Sequence, residues 1–383
     1  MSASPYTAIG GFYFFYFAFV GAFSPYWSLY LRHLGYAAVE IGLLMSLLQV
    51  MRIFAPNAWG WLADHTGRRV EIVRVAALLG LVGYVGVFFG ESFGWMLLVM
   101  GAMSFFWSAS LPLVEAVTFS HLGARTGGYG RIRSWGSVGF IAAVVGVGYL
   151  LDLVAITWLL WVVLALKLGV AGAALAIRDS SALRHDAEGA PLWAILRRPD
   201  VRALMAACFL MAAAHGPYYV FYSIFLVDAG YTKSAVGWLW ALGVLSEIAV
   251  FFLMPRLTER FSGKQILVFS FGCAVARFLL VAWFVDVLAL VLLSQLLHAA
   301  TFGSYHAAAV ASFHRHFGGR HQAKGQALYT SVSFGAGGTI GSVLSGFAWE
   351  TIGPNITFTL CSLAALGGGA LLAWKLGPER ACV

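Results

Sequence analysis

The chain has 383 residues, 61% of them hydrophobic and only 10% charged, with a formal net charge of +8. A soluble fold of this length has about a quarter of its residues charged; here too few polar side chains exist to cover a water-facing surface, so the solvent is lipid. A membrane helix takes about 20 apolar residues, which leaves room for about twelve, and the unbroken apolar runs exclude the alternating strands of a β-barrel.

The first helix is predicted at 6–31. The run from Tyr6 to Leu31 is too long for a signal-peptide core and has no basic stretch before it, so it stays in the membrane. Further helices are predicted at 39–62, 73–90, 95–119, 134–151 and 155–177. After a mixed polar stretch they resume at 201–227, 235–254, 266–285, 287–310, 327–349 and 354–375. Basic residues test this layout. One set of alternate connections holds nineteen of the twenty-four Lys and Arg, whereas the opposite set holds only Arg32 and Lys233. The excess of positive charge marks the cytoplasmic side. Both termini and residues 178–200 are therefore expected in the cytoplasm of a bacterial-type inner membrane. The same distribution assigns the positive charge to topology and excludes nucleic acid as a partner.

Residues 178–200 form the one long polar stretch. They divide the chain into a six-helix bundle at 1–177, a cytoplasmic linker, and a second bundle at 201–383. An internal repeat supports the division. Leu34-Gly35-Tyr36 precedes Ile41-Gly42-Leu43-Leu44, and 195 residues later Ala229-Gly230-Tyr231 precedes Val236-Gly237-Trp238-Leu239. The same offset pairs Leu62 with Leu257 and Asp64 with Glu259. Cys208, Cys273, Cys361 and Cys382 are scattered without metal-ligand spacing, so no zinc or redox site is expected.

After the second helix comes Gly60-Trp61-Leu62-Ala63-Asp64-His65-Thr66-Gly67-Arg68-Arg69. This resembles the signature of the major facilitator superfamily, read here as a loop between helices 2 and 3, with His65 where a basic residue is usual. Gly60, Asp64, Gly67, Arg68 and Arg69 are its key positions. A worn copy runs from Pro255 through Glu259 to Lys264. The resemblance implies an all-α membrane protein of twelve helices in two pseudosymmetric bundles, a layout known for parallel repeats, with alternating access as the working cycle. Within the superfamily, Arg133-Ser134-Trp135-Gly136 resembles a sugar-contacting segment of lactose-permease-like proton symporters. More of the chain is similar to phenylpropionate permeases, through Pro25-Tyr26-Trp27-Ser28, Arg133 to Val138, Gly237 to Trp240 with Glu247, and Leu297-His298. These likenesses imply a proton-coupled importer of a small aromatic acid. A sugar or nucleoside symporter is the alternative, and a non-transporting membrane receptor is the alternative from another class. No hydrolase or metalloprotease motif is present, so no enzyme activity is expected. The fifth helix has no Gly-Pro-x-x-Gly-Gly motif of the kind associated with drug antiporters, which favours symport.

Ionisable residues inside membrane helices cost about 2.5–3.5 kcal/mol on insertion scales and face a cavity or a partner. Glu247, Glu115, Arg277 and His306 are the expected proton-coupling residues. Arg133, Trp135, Arg52, Tyr16, His215, Tyr219 and His298 are the expected substrate-binding residues. Arg52 and Glu247 occupy equivalent repeat positions and are expected to meet across the cavity. Where lactose permease carries a proton-binding Glu three residues after its helix 10 His, this chain has Thr301. Lys167 has a stem long enough to snorkel. The run Gly335 to Gly341 reads as close helix packing, because it follows no strand. No cofactor is expected beyond a proton gradient as driving force; the partners are substrate, proton and lipid, and the transporter is expected to be a monomer.

Overall fold

The computed structural model describes residues 5–123, 128–178, 193–317 and 321–377. Among these residues there is no strand, and all twelve predicted helices are present: α1 Pro5–His33, α2 Ala38–Thr66, α3 Arg69–Val85 with a 3-10 turn to Phe89, α4 Phe93–Leu122, α5 Tyr129–Leu153, α6 Trp158–Ala176, α7 Pro199–Asp228, α8 Lys233–Arg260, α9 Gly263–Trp283, α10 Leu288–His316, α11 at 322–352 and α12 Pro354–Lys375. Eleven of them are long and apolar enough to cross a bilayer. The exception is α11, where Ser331, Ser333, Gly335, Gly337, Gly338, Gly341, Ser342, Ser345 and Gly346 dilute the hydropathy. Residues 179–192 of the expected linker, the chain ends at 1–4 and 378–383, and the connections bearing Arg125 and Arg320 lie outside the described residues; a single helical turn, Trp193–Leu196, precedes α7.

Helices run beyond the apolar stretches that located them, and this corrects one expectation. Gly60 and Asp64 are not in a loop: α2 continues through Ala63 and Thr66 until Gly67 takes a left-handed conformation (φ 67°), its N–H bonding the Ala63 carbonyl. Helix propagation needs only backbone hydrogen bonds and tolerates polar side chains at an aqueous end, so the chain turns where glycine permits it. For the same reason Arg133 lies within α5.

The repeat is visible in the backbone. Gly35 (φ 85°) and Gly230 (φ 90°) end α1 and α7 in the same left-handed turn. In the first, Tyr36 N–H bonds Leu31 O and Gly35 N–H bonds Arg32 O; in the second, Tyr231 N–H bonds Leu226 O and Gly230 N–H bonds Val227 O. Each pair is related by 195 residues, the offset read from the sequence.

The chain resolves into two compact units. One comprises Met1–His185 with Thr232–Trp238, the other Asp186–Tyr231 with Leu239–Val383. In the first, α1 packs on α5 and α6, and α3 on α4. A Cβ at Gly139 would strike the carbonyl of Phe14, so only glycine lets α5 approach α1 so closely. In the second, α7 packs on α11 and α12, and α9 on α12. Gly337 and Gly341 touch the carbonyls of Phe209 and Ala213, which confirms the glycine run as a packing surface. The first turns of α8 cluster with the first unit because Asp152 accepts bonds from the N–H groups of Lys233 (2.8 Å) and Ser234 (3.0 Å). A carboxylate there meets the positive end of the helix dipole. Two helices carry π-helical segments, Ala299–Ser304 in α10 and Thr330–Gly337 in α11. Such widened turns are rare, and frequent at functional sites.

Candidate substrate and proton sites

The second unit gathers four of the expected residues into one cluster. Arg277, on α9, is fully buried. Its Nε donates to Ser294 O (3.0 Å), and its Nη1 lies 3.1 Å from Thr301 Oγ1 and 3.2 Å from His215 Nε2. An arginine can only donate, so His215 accepts at Nε2 and keeps its proton on Nδ1, which faces Met211 O at 2.8 Å. That histidine is thereby held neutral as an acceptor. The guanidinium also lies over the Tyr218 ring, 4.2 Å from its centroid. His298 and Glu247 meet at 2.6 Å between Nε2 and Oε1, their side chains 7% and 14% exposed. The rings of His215 and His298 are 6.3 Å apart. One buried nitrogen of each strong donor, Arg277 Nη2 and His298 Nδ1, has no hydrogen-bond partner among the described residues.

The π-helical segment lies at this convergence. Gln295, His298 and Thr301 stand just before and within it, in a cluster that also receives α7, α8 and α9. Gln295 accepts from Tyr218 OH (2.9 Å) and donates to Tyr222 OH (2.7 Å). Sequence reasoning missed Gln295 and Tyr218 as site residues; an amide side chain inside an otherwise apolar predicted helix was the available signal for Gln295. His306 stands two turns beyond His298, bonded through Nδ1 to Tyr329 OH at 2.9 Å. Tyr219 is half-buried beside His215 and Trp240. The partner that the structure gives Glu247 is His298, within its own unit, and the expected meeting with Arg52 involves residues of both units.

The first unit holds the other candidates in a different setting. The Arg133 guanidinium lies 4.0 Å from the Phe17 centroid and 5.5 Å from that of Tyr13. Tyr16 is buried, its ring stacked on Trp107 at 3.9 Å and 10°. Trp135 is 52% exposed and rests against Gly10. Glu115 accepts a bond from Tyr129 OH at 3.3 Å. Arg52 is exposed on α2. Lys167 departs from the expectation of snorkelling. It stands at the centre of α6 and is 3% exposed, with the faces of Phe19 (4.6 Å) and Trp107 (4.9 Å) beside its ammonium. Half a helix of lipid lies on either side, about 14 Å at 1.5 Å per residue, which a lysine stem does not span.

The signature residues form a small assembly at the end of α2. Asp64 pairs with Arg69 (3.1 Å) and Arg68 with Glu71 (2.7 Å). Gly60, Asp64 and Arg69 border a crevice whose other wall is Ser108, Pro112 and Ala116 of α4. Glu259 is exposed near the end of α8.

A helical membrane protein of two repeat-related units, with charged and polar clusters inside its helices, has the layout of a secondary transporter of the major facilitator type. The chain belongs to the MFS_1 like family, whose model matches residues 6–360. It is 32% identical over 377 residues to the "Probable 3-phenylpropionic acid transporter" of Escherichia coli (strain K12), covering 96% of each chain. It is 27% identical over 383 residues to the maltose permease of Geobacillus stearothermophilus, covering 95% of this chain and 94% of that one. The crystal structure of the nucleoside transporter NupG superposes with a TM-score of 0.86 at 16% identity, covering 98% of this chain and 100% of that chain. The chain is thus a multi-pass membrane transporter of small molecules.

Proposed function

We propose that the protein imports a small organic anion, an aromatic carboxylate, together with a proton, by alternating access of two six-helix bundles at residues 1–177 and 201–383. The observation that carries this reading is the 2.6 Å contact of Glu247 with His298 in the same cluster as Arg277. Glu247 and Arg277 are the carboxylate and the guanidinium of this cluster. With Glu247 ionised and His298 neutral, they cancel. One proton taken up by the Glu247–His298 pair leaves the cluster at +1, and an anion then restores neutrality. A low-dielectric interior makes that balance matter: at an effective dielectric of 20, unit charges 4 Å apart interact by about 4 kcal/mol. Proton and anion therefore favour each other's binding, which is the thermodynamic content of symport. The unpartnered Arg277 Nη2 and His298 Nδ1 are the groups available to a carboxylate oxygen.

Arg133 is the proposed carboxylate anchor of the first unit, since a guanidinium grips a carboxylate with two parallel hydrogen bonds. Glu115 stands second to Glu247 for the proton, and His306 serves as a relay beyond the pair. The phenylpropionic acid relative supports an aromatic acid as substrate. One observation favours the sugar or nucleoside reading instead: the Tyr218–Gln295–Tyr222 ladder offers neutral hydroxyl and amide groups suited to sugar hydroxyls. The positive charge of the basic connections supports an inner-membrane location with both termini in the cytoplasm, and the protein is proposed to work as a monomer.

The test uses proteoliposomes with 3-phenylpropionate. Wild type accumulates the acid against its gradient when the outside is acidic. Glu247→Gln imitates the protonated carboxyl, so counterflow exchange persists while pH-driven accumulation falls at least tenfold. Glu115→Gln retains accumulation within about twofold. If Glu247→Gln concentrates the acid as well as wild type does, Glu247 is not the coupling group.

A further inference from the structure

Lys167 has no task in the reading above. Its ammonium lies at the middle of a membrane helix, against Phe19 of α1 and Trp107 of α4, with Gly80 of α3 close by. Among the described residues neither a hydrogen-bond acceptor nor a carboxylate reaches it. Trp107 belongs to a row of rings: it stacks on Tyr16 at 3.9 Å, and Tyr16 meets Phe17 edge-on at 5.2 Å. The far end of the row is closed by the Arg133 guanidinium over Phe17. Two cations thus bracket three rings. Of the acids on these helices, Glu71 pairs with Arg68 and Asp152 with the N–H groups of Lys233 and Ser234, both at helix ends. Glu115 accepts a bond from Tyr129.

Ring faces attract a cation through their quadrupole but carry no net charge. They hold the lysine in place and, when it carries its proton, leave its field unneutralised. In a low-dielectric interior that field extends well beyond contact distance. We infer that Lys167 is a specificity-determining residue: its positive charge, with the aromatic row beside it, makes the first unit favour a carboxylate ligand over a neutral molecule of the same shape. The inference rests on the reading of the substrate as an organic anion. It assigns that preference to a residue which need not touch the ligand. A buried amine that no carboxylate reaches among the described residues is also a burden on the empty protein, so its removal raises the stability of the unliganded transporter.

The experiment compares matched acid and neutral ligands by direct binding to purified protein in detergent: 3-phenylpropionate with 3-phenylpropanol, and gluconate with sorbitol. Wild type binds an acid at least tenfold more tightly than its neutral partner. Lys167→Met reduces that ratio about tenfold by weakening the acid alone, and melts higher than wild type without ligand. Lys167→Arg keeps the ratio. Equal weakening of acid and neutral ligand in Lys167→Met, or an unchanged ratio, overturns the assignment, as does a wild type that binds neutral partners as well as acids. A wild type that prefers gluconate and ignores the phenyl pair removes the aromatic substrate of the reading above. The role of Lys167 is then decided by the gluconate ratio.

Discussion

Arg133 and Lys167 in the first unit are met by the faces of Phe17, Phe19 and Trp107, whereas Arg277 in the second makes three directional contacts, to Ser294, Thr301 and His215. The repeat that built both units left the backbone turns at Gly35 and Gly230 superimposable in their hydrogen bonds, yet the interiors have diverged in how they hold charge. Aromatic faces bind a cation without fixing its orientation and without consuming its donors, so Arg133 retains its fork for a ligand. Hydrogen bonds fix a guanidinium and polarise their acceptors, so Arg277 orients His215 within the cluster that holds the Glu247–His298 pair. On the proposed function, the first unit recognises the anion and the second takes up the proton.

Deleting the organising group of the second unit is expected to have the largest effect. Arg277→Met leaves the Ser294 carbonyl, Thr301 and His215 short of a donor in a buried site, at about 1–3 kcal/mol for each unsatisfied group. Folded yield in detergent should drop sharply and thermal unfolding should begin well below that of wild type. A variant that unfolds at the wild-type temperature would erase the distinction between the units, since Arg277 would then be as loosely held as Arg133. In the first unit the effect should fall on affinity and leave stability alone. Arg133→Lys keeps the charge but loses the fork, so equilibrium binding of 3-phenylpropionate should weaken about tenfold, and Arg133→Ala more, at an unchanged melting temperature. Unchanged affinity in both would take Arg133 out of the site. The smallest expected change is at Asp64. Its exposed pair with Arg69 contributes about 0.2–1 kcal/mol, and Asp64→Ala should slow uptake several-fold by shifting a conformational equilibrium while the dissociation constant stays within twofold. Loss of binding at normal expression would show that the signature serves the ligand site directly.

Lipid as solvent, twelve helices, the repeat offset and the family signature were legible in the residues, because each depends on local composition or on spacing along one chain. Glu247, His298, Arg277 and His215 were legible singly, since an ionisable residue in an apolar run stands out whatever surrounds it. Their pairing was not. The sequence offered Arg52 for Glu247, by symmetry between the halves, and gave no sign that His298 meets Glu247 within its own unit. That pairing also sits beside a π-helical turn at Ala299–Ser304, and a one-residue change of helical phase leaves no mark in hydropathy. Lys167 shows the same limit from the other side. A lysine among leucines and valines reads equally as a snorkelling residue or a buried one; the decision lies with Phe19 and Trp107, distant in the chain, which close around its ammonium. The sequence by itself determined which solvent each segment meets and where the backbone turns, because those follow from side-chain transfer energies and the freedom of glycine. Only the tertiary structure decided which charges share a site and what answers them, because that depends on the phase and approach of helices far apart in sequence.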